Sequence, residues 1–152
     1  MTSKHIESID VDVPVRLAYD QWTQFEEFPR FMQSVDEIHQ VTDDTVHWKV
    51  DIAGVAREFH TLITEQTLNE CIAWETIDGP DHAGVVTFQP LSDARTRVTL
   101  QMEYDPVGFF EHVGDKVGLV SSRLRGDMEA FKTYIEHRGR PSGGWRGSIE
   151  QH

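Results

Sequence analysis

Eight histidines, one cysteine and 26 carboxylates are the groups in this 152-residue chain with which chemistry would begin. The histidines fall at neither H-x-x-x-H nor H-E-x-x-H spacing, and Cys71 has no second cysteine, so zinc-site signatures are absent and no metal is expected. The segment Gly114 to Gly118 lacks the GK[ST] ending of a phosphate loop, and neither a strand-linked GxGxxG nor a GxSxG occurs. Glu26-Glu27, Asp43-Asp44 and Glu103/Asp105 read as turn, strand-end or outward-facing carboxylates, where solvation keeps them ionised rather than poised as acid/base pairs. His47 and His60 are read as a surface pair across a hairpin turning at Gly54, and His82 as a loop histidine near a cavity mouth. No cofactor is called for, and no catalytic residue is assigned.

The more telling groups are polar residues that share a phase with apolar ones. In a one-sided sheet every second residue of a strand faces the core. That rule puts Trp48, Val50 and Ile52 on one inner wall with Phe59, Ile63, Ile72 and Trp74, and continues it through Val86, Phe88, Val98, Leu100 and Met102. Arg57, Thr61, Thr76 and Tyr104 fall in the same phase, and a buried polar group without a partner costs about 1–3 kcal/mol. Either the protein satisfies them, with Arg57 on an internal carboxylate or at a strand end in water, or a ligand does. The opposite phase, with His47, Lys49, Glu58, His60 and Arg97, faces water.

The elements that position this wall follow from periodicity. Lys4 to Val13 alternate with one slip in phase and predict a first strand. Pro14 ends it and opens an amphipathic helix to Phe25, with Val15, Ala18 and Trp22 on its stripe. Around Pro29 a break and a short helical turn are expected. Six period-two segments then follow, at 35–41, 46–53, 55–65, 71–77, 84–91 and 97–104, joined by links too short for parallel crossovers. Val113, Val117, Val120, Leu124, Met128, Phe131 and Ile135 step by three or four, which predicts a helix from about Glu111 to His137, roughly 40 Å long and able to span the sheet. The fold class is therefore α+β: a curved seven-stranded antiparallel sheet wrapped around a long C-terminal helix. Residues 1–138 form the ligand-binding domain, and 139–152, rich in Gly and Ser, form a flexible tail in which Trp145 either docks or is exposed.

Composition bounds the function. With 38% hydrophobic and 26% charged residues the chain is ordinary for a globular protein, and at this length it buries roughly 70% of its unfolded surface. A net charge of −12 argues against sequence-independent binding to nucleic acid or anionic lipid. One cysteine fits a reducing compartment, and no apolar run approaches the ~20 residues of a membrane span, so a cytoplasmic protein with no integral membrane segment is expected.

Pro14, Ala18-Tyr19 and Trp22, then Phe25, Phe28-Pro29 and Phe31-Met32, spell V-x-x-P-V-x-x-A-Y-x-x-W followed by F-x-x-F-P-x-F-M. With Gly54-Val55 and Glu58, Ile72-Ala73-Trp74, Gly84 to Phe88, Gly126-Asp127-Met128 and Phe131-Lys132, the chain to about residue 147 resembles the START-like superfamily of helix-grip fold. Its members include bacterial polyketide cyclases/dehydrases, coenzyme-Q-binding proteins and pollen-allergen-like carriers. The resemblance implies a hydrophobic cavity under the C-terminal helix, opening near Phe28, Phe31 and Met32. Family cyclases orient a polyketone with pocket Arg, Ser/Thr, Tyr and Trp groups, for which Arg57, Thr61, Tyr104 and Trp74 are available here, although they match no specific catalytic motif. The expected function is binding or carriage of a hydrophobic small molecule (lipid, quinone or polyketide-like). The alternatives are an aromatase/cyclase or dehydrase using pocket Arg/Tyr/Thr, and a protein–protein module working through the Trp145 tail. Oligomeric state is not legible. The ligand is expected to touch Phe28, Phe31, Met32, Trp48, Arg57, Phe59 and Thr61 from one side. From the other it meets Trp74, Thr76, Phe88, Met102, Tyr104 and the helix residues Val113 and Val117.

Overall fold

Alternating segments become strands within a residue or two of their expected ends. In a computed structural model, which describes residues 3–32, 35–52, 55–78, 82–104, 117–140, 143–145 and 147–150, the chain runs β1 (Ser3–Val11), α1 (Val15–Trp22) and a 3-10 turn (Phe25–Arg30). Then come β2 (Val35–Gln40), β3 (Thr45–Ile52), β4 (Val55–Thr67), β5 (Cys71–Thr76), β6 (His82–Ser92) and β7 (Arg95–Tyr104). The long helix α2 (Val117–Arg138) and a two-residue strand β8 (Ile149–Glu150) complete it. The expected helical residues 111–116 lie outside the described part.

The sheet is antiparallel throughout, in the order β1-β7-β6-β5-β4-β3-β2, and curls into a half-barrel. Successive strands from β2 to β7 are neighbours, as short links require, and β1 closes onto β7 with Ser3 opposite Tyr104 and Val11 opposite Thr96. The slip in phase of β1 falls at Ile6, which is 56% exposed, while Val11 and Val13 are buried. At the β4–β5 turn Asn69 takes φ of 60°, a left-handed conformation that asparagine tolerates better than most residues.

The first helix is shorter than its periodicity predicts. It stops at Trp22 because the Thr23 hydroxyl turns back to donate to the Asp20 carbonyl at 2.6 Å. Phe25 then opens the 3-10 turn, which runs through Pro29 rather than after it: a two-turn 3-10 segment loses only one donor to the proline.

α2 lays Leu124, Met128, Phe131 and Ile135 into the concave face of the sheet, where they join one core with Trp22, Phe28, Val86 and Val98. The Lys132 ammonium bridges the Asp10 carbonyl (2.9 Å) and the Glu136 carboxylate (2.6 Å), which also accepts the Asp12 N–H (2.7 Å), so the helix is tied to the end of β1. Gly139, at φ of 69°, ends the helix by donating its N–H to the Ile135 carbonyl.

The segment expected to be a flexible tail has a defined course where it is described. Ile149 and Glu150 pair with Gln66 and Glu65 of β4, beyond Leu62, where the pairing with the first residue of β3 stops, and the Trp145 N–H donates to Thr23 Oγ1 at 3.0 Å. Thirteen-residue β4 outruns eight-residue β3, leaving backbone groups that a short strand satisfies.

Candidate functional site

Between the concave sheet and α2 lies a cavity of about 90 Å³. It is lined by Trp22 of α1, by Phe25 and Phe28 of the 3-10 turn and by Met32 two residues after that turn. The sheet contributes Trp48, Phe59, Thr61, Ile63, Trp74 and Met102 among others, and α2 contributes Leu124, Asp127 and Met128. The rings form a continuous aromatic lining: Phe28 to Trp48 at 6.1 Å, Trp48 stacked with Phe59 at 6.3 Å and with Trp74 at 6.5 Å.

Among the described residues three polar side chains interrupt this wall: Thr61, His82 and Asp127. Thr61, 1% exposed, accepts the Trp48 indole N–H at 2.8 Å, so its hydroxyl keeps a hydrogen to donate. His82, 8% exposed, accepts the Trp74 indole N–H on Nε2 at 3.2 Å and sits edge-on to Phe59 at 4.7 Å. Burial lowers its pKa to about 4, because an imidazolium is poorly solvated among apolar rings. Asp127 belongs both to this wall and to a surface groove between the 3-10 turn and α2, lined also by Phe31, Arg123 and Tyr134.

The structure sorts the expected ligand contacts. Phe28, Met32, Trp48, Phe59, Thr61, Trp74 and Met102 line the cavity. Phe31 turns away into the groove, its ring 4.8 Å from Tyr134. Phe88 is buried, but against Tyr19 and Trp22. Tyr104 is buried with its hydroxyl 3.2 Å from His5 Nε2 and its ring stacked on His5. Thr76 is half-buried and its hydroxyl accepts the His82 backbone N–H. Arg57 is half-buried near the start of β4, donates from Nη1 to the Ala56 carbonyl at 2.9 Å and is not a wall residue. It has the inner phase but lies two residues from the strand's end. Val113 lies outside the described residues, as does the side chain of Val117.

Asp127 is a wall residue that sequence reasoning passed over, and His82 is one that it placed in a loop near the cavity mouth; both carried a signal for the wall. Beginning β6 at His82 rather than Gly84 puts His82 in phase with Val86 and Phe88. Asp127 stands three residues after Leu124 and four before Phe131, on the buried stripe of α2. Among the described residues no group of three His, Cys, Asp or Glu stands close enough to hold a metal, and no helix is long and apolar enough to cross a membrane. His47 and His60 do face each other, with ring centres 4.7 Å apart, each on a carboxylate: Glu58 and Asp78.

A half-barrel sheet gripping a C-terminal helix over an aromatic cavity is the architecture of the START superfamily. A solved START-superfamily protein from Mycobacterium smegmatis superposes with a TM-score of 0.69 at 13% identity, covering 89% of this chain and 95% of its own. A Streptomyces aromatase/cyclase, Zhui, superposes at 0.79 and 14% identity, covering 95% of this chain and 100% of its own. Residues 11–133 match the model of the family described as polyketide cyclase / dehydrase and lipid transport, and the chain belongs to that family. An uncharacterized 17.2 kDa protein of Streptomyces lincolnensis is 51% identical over 148 residues, which is 97% of this chain and 99% of that protein.

Proposed function

We propose that this protein binds a compact apolar small molecule between the sheet and α2. The observation that carries the reading is the cavity itself: among the described residues its wall is aromatic and aliphatic except at Thr61, His82 and Asp127. A cavity of about 90 Å³ suits a compact ligand of one or two rings rather than a long-chain lipid. A ligand of about nine heavy atoms gaining about 0.6 kcal/mol per atom binds with Kd on the order of 0.1 mM. Membership of a cyclase and lipid-transport family supports the same ligand class.

Trp22, Trp48 and Trp74 all line the cavity, so their emission reports occupancy directly. Titration with naphthoquinone is expected to quench saturably, and native mass spectrometry beside a solvent extract is expected to release a bound apolar compound. Linear, non-saturating quenching by quinones and lipids alike, with a clean apo mass, sinks the reading.

A cyclase or dehydrase function has its own support in the presence of an imidazole and a carboxylate, His82 and Asp127, in one apolar wall. The set first expected for that chemistry is dispersed, since Arg57 and Tyr104 lie outside the wall. Cyclisation of a poly-β-ketone above the uncatalysed rate, lost in His82→Gln, distinguishes catalysis from carriage.

A further inference from the structure

The face of the sheet opposite the cavity carries a row of histidines that no spacing motif contains. His47 of β3 stands opposite His39 of β2 and opposite His60 of β4 in the ladders, so three neighbouring strands bring them together. His39 turns aside to Glu26, its Nδ1 2.8 Å from Oε2. His47 and His60 remain face to face, their ring centres 4.7 Å apart and their planes 39° apart.

Each ring of this pair is oriented by a carboxylate. His47 Nε2 lies 2.6 Å from Glu58 Oε1 and His60 Nδ1 lies 3.0 Å from Asp78 Oδ2, while the other Asp78 oxygen accepts the His60 backbone N–H at 2.6 Å. The bonds from His60, the backbone one foremost, hold the Asp78 carboxyl below its usual range. An ionised carboxylate only accepts, so each neutral ring carries its proton on the nitrogen facing the carboxylate and a lone pair on the other. The lone-pair atoms are His47 Nδ1 and His60 Nε2. Neither has a protein partner among the described residues, and neither is enclosed: the two side chains are 22% and 41% exposed. An imidazole fixed at one nitrogen by a carboxylate and open at the other is the usual form of a metal-ligating histidine.

The separation of the rings decides whether one ion can meet both. A metal about 2.0 Å from an imidazole nitrogen stands about 3.2 Å from the ring centre, so two rings at a cis or tetrahedral angle have centres about 4.5–5.2 Å apart. The observed 4.7 Å falls inside that span. Glu58 and Asp78 place two negative charges beside the ion, and Lys49, opposite Glu58 in the ladder, is offset by Glu37 at 3.2 Å.

We propose that His47 and His60 form a site for a divalent transition-metal ion, with Glu58 and Asp78 as positioning residues and water in the remaining coordination positions. Among the described residues no third His, Cys, Asp or Glu joins them. Two imidazoles without a closed cage select by intrinsic affinity, so Cu(II) binds ahead of Ni(II) and Zn(II). The site lies on the other side of the sheet from the cavity and does not depend on the proposed cavity binding.

Cu(II) in a non-coordinating buffer is the probe, added to the full chain. Calorimetry is expected to show one Cu(II) per chain, held at least about tenfold more weakly by His47→Gln and by His60→Gln, about tenfold more weakly by Asp78→Asn, and within about twofold by His39→Gln. The electron spin resonance of bound Cu(II) is expected to show two equatorial nitrogens, reduced to one in either histidine variant. Long-range proton–nitrogen spectra of the metal-free chain are expected to show His60 protonated on Nδ1, and Asp78→Asn to mix its tautomers. Substoichiometric Cu(II) is expected to broaden the amide signals of His47 and His60 first, a readout that needs no variant. Broadening centred on other histidines, affinity unchanged in both His47→Gln and His60→Gln, or no uptake of Cu(II) overturns the inference and leaves cavity binding untouched.

Discussion

Acidification tests the burial of His82 most directly. Its pKa falls from 6.5 to about 4 on folding, so between those values the unfolded chain holds a proton that the folded one does not. Stability therefore rises with pH across this window. It is lost as pH falls below about 6.5 and levels off once the folded imidazole also protonates, below about 4. At 1.36 kcal/mol per pKa unit the full effect is about 3 kcal/mol, of which about 2.5 kcal/mol is gone by pH 4.5. Carboxylates add to any acid destabilisation: Asp10, held low by Arg97, and Asp78, held low by the His60 backbone N–H, act in the same direction. The test is therefore a difference between proteins. Urea unfolding of the unsubstituted chain and of His82→Gln, each at pH 7.5 and pH 4.5, is expected to show the former losing about 2.5 kcal/mol more. With an m-value of about 2 kcal/mol/M, that is a relative midpoint shift of roughly 1.2 M. Asp127 shares the wall and Tyr104 stands opposite His82 in the β6–β7 ladder, so these are the titratable side chains to hold fixed. Parallel pH profiles for the two proteins would falsify the claim that His82 is buried and neutral. If the variant does not fold, titration of the His82 ring nitrogens in the unsubstituted chain must give a midpoint near 4 rather than 6.5.

Phe131→Ala removes a fully buried ring packed 4.7 Å from Trp22 and 5.6 Å from Phe31, and is expected to cost about 3–5 kcal/mol in urea unfolding. A loss under 1 kcal/mol would mean that α2 is not seated on the core as described. Deleting residues 140–152 removes the β8 pairing and the Trp145 bond to Thr23; it is expected to cost about 1–2 kcal/mol while leaving quinone quenching unchanged. A change in oligomeric size on gel filtration would instead favour the tail as a partner-binding element.

By itself the sequence determined the elements from β1 to α2 and the pairing of successive strands from β2 to β7. Alternation with period two and links of a few residues leave antiparallel neighbours as the only economical sheet, and the three-and-four stripe from Leu124 to Ile135 requires an apolar face for the helix to cover. Phase also named the inner face correctly for Trp48, Phe59, Thr61 and Trp74. What phase does not contain is position along the curved sheet. Arg57 and His82 both have the inner phase, yet the first lies near a strand end beside the Ala56 carbonyl and the second is in the cavity wall. Which of the two reaches the cavity depends on where α2 crosses and how far the sheet curls around it, and both are set by packing between residues distant in the chain. The pairing of β8 with β4 is likewise a backbone contact across more than 80 residues, made because β4 outruns β3, and Gly-Ser-rich text holds no period from which to read it. Side-chain direction is a local property of a strand; enclosure is a property of the whole fold.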